Sequence, residues 1–232
     1  MLNNINMETI IEAKNIFISQ FPFALWETLY VTLLSTIFAI IIGLPLGVIL
    51  VVGEERGIAP LPKWIMKLLN IIINLLRSIP FLILMILVFP FTRLIIGTAV
   101  GTVASIVPLT IAAFPFVARL CESSIREVSS DTIEMAQSLG ASPMQIITTV
   151  MIGEALPSLV SNMTIALTTI LGYTAMSGII GGGGLGKIAI NYGYYRYKYL
   201  IMLLAVIFLI ILVELFQTLG TKLSTKIDKR QK

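Results

Sequence analysis

The sequence predicts an all-α, polytopic integral membrane protein with five transmembrane helices and one structured polar segment between two of them. Three observations carry this. Of 232 residues, 57% are hydrophobic and 12% charged, with a mean hydropathy of +0.97, whereas soluble domains carry about 25% charged residues. Five apolar stretches are long enough to cross a hydrocarbon core of roughly 30 Å. Between the third and fourth, residues 131–157 form a polar interval dense in helix punctuation.

Residues 1–22 read as a polar, weakly amphipathic lead outside the membrane, and the absence of a basic stretch at its start argues against a signal peptide. Span 1 covers residues 28–52. Gly43, Pro45 and Gly47 interrupt it, which membrane helices tolerate when neighbours satisfy the freed backbone. A charged loop follows to Lys67. Span 2 is placed at residues 68–89, with Arg77 inside its first half, and residues 91–101 form a short external turn. Span 3 covers 103–121, with Pro108 and Pro115 inside. Span 4 covers 156–180 and span 5 covers 199–220, so the transmembrane domain runs over 23–222 and residues 223–232 form a basic tail.

An odd number of spans puts the termini on opposite faces, and basic residues choose the orientation. Ten of the 16 Lys and Arg collect on one side, among them Arg56, Arg126 and Lys226. Five collect on the other, and Arg77 lies within span 2. The richer side is expected to be cytoplasmic, which places the N-terminus outside, the C-terminus inside and residues 131–157 inside.

Within that segment Asp131 and Glu134 have the spacing of a capping box. Gly140 supplies the left-handed residue that closes a helix. Ser142, with proline at 143 and glutamine at 145, opens the next. Two helices joined at a sharp elbow follow from this punctuation. A short capped helix held at a membrane surface is a docking device.

Glu134, Ala136 and Gly140 also match, in type and spacing, the E-A-A-x-x-x-G loop of bacterial ABC importer permeases, with Met135 in place of the alanine at the second position. The usual I-x-L-P ending falls on residues 150–153, and EALP at 154–157 resembles the variant of methionine importer permeases. LWETL at 25–29, GLPLGV at 43–48, RSIPF at 77–81, PFTRLIIGT at 90–98, GYTAMSG at 172–178 and GGGGLG at 181–186 are similar to that subfamily too. The resemblance covers roughly residues 25–220. It implies the type I ABC importer permease fold, with residues 131–157 as the coupling segment that seats on a cytoplasmic ATPase. It further implies a homodimer in a bacterial plasma membrane, two ATPase copies that bind ATP and magnesium, and an external substrate-binding protein. The implied solute is methionine, L- and also D-. No cofactor, metal or catalytic residue is expected in this chain, which would itself hydrolyse nothing.

Other features are weighed on their residues. Residues 181–187 fit G-x-x-x-x-G-K, but a phosphate loop needs Ser or Thr next and a strand before it. Ile188 follows and a membrane helix precedes. The run then serves as a flexible linker or as a backbone-rich docking surface, and the two readings stand level. Arg77 and Glu214 are ionisable groups in apolar runs, which points to function, or to an ion pair or interface anchor. Span 4 is dense in hydroxyl and small residues, which suits either helix packing or a solute path lined by Tyr173, Met176 and Ser177. The tyrosines from 192 to 199 read as an interfacial belt. Cys121 alone makes no disulfide, and histidine is absent. No basic patch with its own fold suggests nucleic acid. Two alternatives remain: a permease for another amino acid or small solute, and a channel or secondary transporter without an ATPase. No inverted repeat supports the latter, and the elbow is the feature that separates them.

Overall fold

Apolar runs and helix punctuation resolve into a chain that is helical almost throughout. The computed structural model describes residues 7–228. The helices in order are α1 Met7–Val52, α2 Lys63–Ser78, α3 Phe81–Leu87, α4 Phe89–Ile96, α5 Ile106–Arg126, α6 Ser130–Ser138, α7 Pro143–Gln145, α8 Ile152–Ser177, α9 Gly184–Ile188 and α10 Tyr199–Ile227. A π-helical turn, Ile146–Met151, joins α7 to α8, and a second, Ala189–Tyr194, follows α9. The first six residues of the expected lead, and Lys229, Arg230 and Lys232 of the basic tail, lie outside the described residues.

Helix α1 has 46 residues, about 69 Å at 1.5 Å per residue. It begins inside the stretch read as a separate lead and passes unbroken through Pro22, Gly43, Pro45 and Gly47. The lead from Met7 on is therefore continuous with the helix that carries span 1. The expected span 2 is not one helix. Pro80 lacks a backbone N–H and disfavours helical conformation in the residue before it. Ile79 accordingly sits extended (φ −81°, ψ 127°) and ends α2 at Ser78. The helix that carries span 4 begins earlier than the span: from Pro143 to Ile180 the chain is one helical run of 38 residues. Helix α10 continues past 220 to Ile227. Four described helical runs are long and apolar enough to cross a membrane, or five if the interrupted α2–α3 pair is one span. Many large apolar side chains, among them Ile41, Ile83, Ile210 and Leu219, lie exposed, as lipid-facing side chains do.

Two compact units emerge. One combines the described residues through Ser35 with Phe81–Leu109 and Thr168–Leu215. In it the buried Phe21 clusters with Phe17 and Phe208, ring centroids 5.0–5.8 Å apart. The other combines Thr36–Pro80 and Thr110–Leu167 with the described residues from Phe216 on. Here Leu50, Ile73 and Ala118 form a buried centre under Leu46, Met66 and Leu69. Within this second unit α1 approaches α5 so closely that a Cβ at Gly43 would lie 2.7 Å from Val117 Cγ1, and one at Gly47 would lie 2.5 Å from Cys121 Cβ. Small residues four apart let two backbones meet in this way.

Candidate functional site

The elbow lies wholly in the second unit. Helix α6 is capped by Ser129, not Asp131: Ser129 is extended and its Oγ accepts from the Thr132 N–H at 3.3 Å. Asp131 instead sits in the first turn, where a negative charge favours the helix N-terminus. The expected box with Glu134 is absent because the helix starts two residues earlier.

The far end of α6 is as expected. Gly140 takes φ +78°. Its N–H donates to Gln137 O at 2.9 Å, and Ala141 N–H donates to Ala136 O at 3.1 Å. These two bonds are a Schellman closure. Ser142 then caps α7 with a complete box: its N–H donates to Gln145 Oε1 at 2.8 Å, and Gln145 N–H donates to Ser142 Oγ at 3.4 Å.

Ala136 is buried within the elbow, while Glu134 faces outward. Around it Met135 is 60% exposed, Met144 66% and Leu139 82%. Among the described residues the Glu134 carboxylate makes no hydrogen bond or ion pair. The segment therefore presents an unpaired charge beside three unburied apolar side chains on a polar, well-capped turn.

Charge spacing on α5 hides a network that sequence reading did not single out. Arg119 donates to Glu122 Oε2 at 2.6 Å, to Asn70 Oδ1 at 2.7 Å and to Asn74 Oδ1 at 3.0 Å, tying α5 to α2. Arg126 bonds Glu122 at 2.8 Å and grips both oxygens of Glu54, at 2.6 and 3.2 Å. The guanidinium of Arg126 holds the Glu54 carboxyl below its ordinary range. The signal was present: Arg119, Glu122 and Arg126 are three and four residues apart on one helix face. Polar side chains of the expected span 4 also tie helices together here. Asn162 donates to Ser124 Oγ at 2.7 Å, and Ser161 donates to Ser224 Oγ at 3.2 Å.

The other candidates lie in the first unit. Tyr173 stacks on Phe81 with centroids 4.5 Å apart and planes 4° apart. Met176 is 45% exposed. Ser177 is buried, its Oγ donating to Thr174 O at 2.7 Å, so it presents no free hydroxyl.

The glycine run is neither loose nor displayed: Gly182 to Gly186 are buried. The N–H of Gly184 donates to Glu27 Oε2 at 2.8 Å, and that of Leu185 donates to Thr28 Oγ1 at 2.9 Å. Both readings of the run, linker and docking surface, are corrected by this packing. Nearby, Tyr192 accepts from Gln20 Nε2 at 2.8 Å and carries the Arg196 guanidinium 4.8 Å above its ring. Tyr194, Tyr195 and Tyr197 are exposed, as a belt requires. Arg77 and Glu214 are each exposed on their own helices, and neither belongs to an ion pair among the described residues.

Residues 43–228 match the family model described as binding-protein-dependent transport system inner membrane component. The chain belongs to this family. It is a multi-pass membrane transport component. It is 47% identical over 208 residues, 89% of this chain and 92% of the relative, to a Vibrio cholerae protein named "Probable D-methionine transport system permease protein MetI". It is 46% identical over 153 residues, 66% of this chain and 70% of the relative, to the D-methionine transport system permease protein MetI of Escherichia coli K12. Among solved structures, an inward-facing MetNI methionine ABC transporter matches with a TM-score of 0.86 at 43% identity, covering 88% of this chain and 94% of that one. An amino acid ABC transporter matches with a TM-score of 0.76 at 19% identity, over 96% of this chain and 99% of that one, and shares the type I importer permease fold.

Proposed function

We propose that this chain is the permease subunit of an ATP-driven importer for methionine, the L-isomer and also the D-isomer. The observation that carries the reading is the elbow: a doubly capped turn whose Glu134, Met135, Leu139 and Met144 are left uncovered by the chain itself. Such a surface suits a soluble partner that moves it. The solute rests on the similarity to relatives named for D-methionine transport and to the MetNI transporter.

In this reading two copies of the chain pair and each elbow, through Glu134, Ala136 and Gly140, seats on one of two cytoplasmic ATPase subunits. ATP and magnesium belong to those subunits, and hydrolysis occurs there. An external binding protein delivers the solute. The excess of basic residues supports an inside C-terminus and an outside N-terminus in a bacterial plasma membrane. ATP-driven closure of the ATPases moves the elbows, and the paired permeases reorient a path to which Tyr173 and Met176 contribute. The thioether of Met176 suits an adaptable apolar constriction. Ser177 contributes its packing.

The test is uptake of L- and D-methionine into proteoliposomes holding the permease, its ATPase and the binding protein. ATP-dependent uptake of methionine, blocked by excess unlabelled methionine and not by other amino acids, is expected. Uptake without ATP would favour a channel or secondary transporter instead. Glu134→Gln, which removes charge alone, is expected to weaken ATPase pull-down by about 1–2 kcal/mol, the scale of a charge-assisted bond.

A further inference from the structure

We propose that Glu27 is a positioning residue for transport: it clamps the glycine segment at 181–186 and through it holds Ser177 and the neighbouring Met176 in place. The last step rests on the reading of Met176 as path-lining.

Four polar side chains of α1, at positions 12, 20, 27 and 28, reach the segment between α8 and α10. Glu12 pairs with Lys198, Gln20 bonds Tyr192, and Glu27 bonds Gly184. At Glu27 both carboxylate oxygens are used. Oε1 accepts from Thr102 Oγ1 at 2.6 Å, and Oε2 accepts from Gly184 N–H at 2.8 Å.

The glycines are what make this possible. A Cβ at Gly183 would lie 2.6 Å from Glu27 Oε2, and one at Gly184 would lie 2.5 Å from Thr28 Oγ1. At Gly182 it would meet Ser177 Oγ at 2.6 Å and Ser105 Oγ at 2.9 Å. Gly184 also takes φ +82°. Six residues containing five glycines would be the loosest stretch of the chain if free. Here the backbone N–H groups close on a carboxylate and a hydroxyl, and a hydrogen bond to a charged group is roughly twice as strong as one between neutral groups. The clamp then passes on through Gly182, whose N–H donates to Ser177 O at 2.9 Å. Ser177 is covalently next to Met176. Removing the carboxylate leaves the Gly184 N–H buried without a partner and frees the run that seats the end of α8.

The test uses the assembled complex in proteoliposomes on a Cys121→Ala background, with a spin label on Lys187→Cys and, separately, thiol labelling of Met176→Cys. Glu27→Ala is expected to mobilise the label at 187, to raise the labelling rate at 176 by about tenfold and to lower uptake by about tenfold. Glu27→Gln is expected to restore the wild-type spectrum, because its carbonyl still accepts from Gly184 and its amide donates to Thr102 Oγ1. Thr102→Val, which deletes one of the two bonds without changing shape, is expected to fall between. An unchanged spectrum at 187 in Glu27→Ala overturns the clamp. A mobile label with unchanged labelling at 176 overturns its transmission to Met176. Should Glu27→Ala fail to assemble, Thr102→Val decides: mobilisation supports the clamp and a wild-type spectrum overturns it. If bulky modification of Met176→Cys leaves uptake intact, the path reading fails separately, and the label at 187 still reports on the clamp.

Discussion

The N–H of Ala141 donates to the carbonyl of Ala136 at 3.1 Å, and this bond sets the direction in which the chain leaves α6. It forms only because Gly140, between them, takes φ +78°. A Cβ there would meet nothing within 4 Å, so the demand is purely conformational. Valine at 140 is expected to strain the turn by about 1–2 kcal/mol and to re-aim the elbow. Uptake should be lost with the subunit still inserted and the ATPase released or uncoupled. Asparagine, which visits the left-handed region more readily, should retain much of the activity. Wild-type uptake and pull-down in Gly140→Val would show that the elbow does not couple the two subunits.

The cap at the other end of α6 separates two similar-looking residues. Ser129→Ala removes the acceptor for the Thr132 N–H and is expected to cost about 1 kcal/mol. Asp131→Asn removes only a first-turn charge, worth about 0.3 kcal/mol at an exposed site. Amide exchange at Thr132 reads the difference: about fivefold faster in Ser129→Ala, and close to wild type in Asp131→Asn. The reverse order would return the cap to Asp131.

That pair shows where the sequence was legible. Residues 129 and 132, and 131 and 134, both have cap-like spacing, and composition cannot choose between them. Gly140 and the Ser142–Gln145 box were legible because each is a local demand met within four residues. Pro80 was equally visible, but the continuous apolar run around it concealed that it ends α2. The start of α1 was obscured because membrane-length reasoning sets a minimum and no maximum. The clamp by Glu27 and the bonds from Arg119 to Asn70 and Asn74 were not legible, since each joins residues tens of positions apart. Five glycines in six residues suggest looseness unless their buried partners are known. The family-like motifs identified the broad class because they are local and several, whereas Ser177, chosen for its hydroxyl, turned out to spend that hydroxyl on its own helix.

The bond between Arg126 and Glu54 predicts an acid-sensitive contribution to stability. The guanidinium lowers the Glu54 carboxyl from its ordinary value. The stabilisation is therefore complete above the unfolded carboxylate range and is lost as pH falls through the lower folded value. Both side chains are over 40% exposed, at 43% and 48%, so solvent and salt screen the pair, and its worth is at most about 1 kcal/mol. Thermal melts of the solubilised subunit should show wild type more stable than Glu54→Gln at pH 7 and the gap closing toward pH 3. High salt should narrow the gap at pH 7. A gap that widens on acidification would contradict the assignment.

Two glycines on membrane helices should respond oppositely to the same substitution. In Gly47→Ala the new Cβ would sit 2.5 Å from Cys121 Cβ and 2.6 Å from Ala118 O. The second contact is with backbone, so no rotamer change relieves it and α5 must move away from α1. Overpacking of this kind costs about 1–3 kcal/mol. Replacing Cys121 by glycine in the same chain should recover only part, because the Ala118 carbonyl stays. Gly153→Ala, in α8, meets nothing within 4 Å and gains helix propensity of up to about 1 kcal/mol. Thermal unfolding of the purified subunit is expected to drop for Gly47→Ala and to hold or rise for Gly153→Ala. If both variants melt alike, the close approach of α1 to α5 at Gly47 is not what holds those helices together.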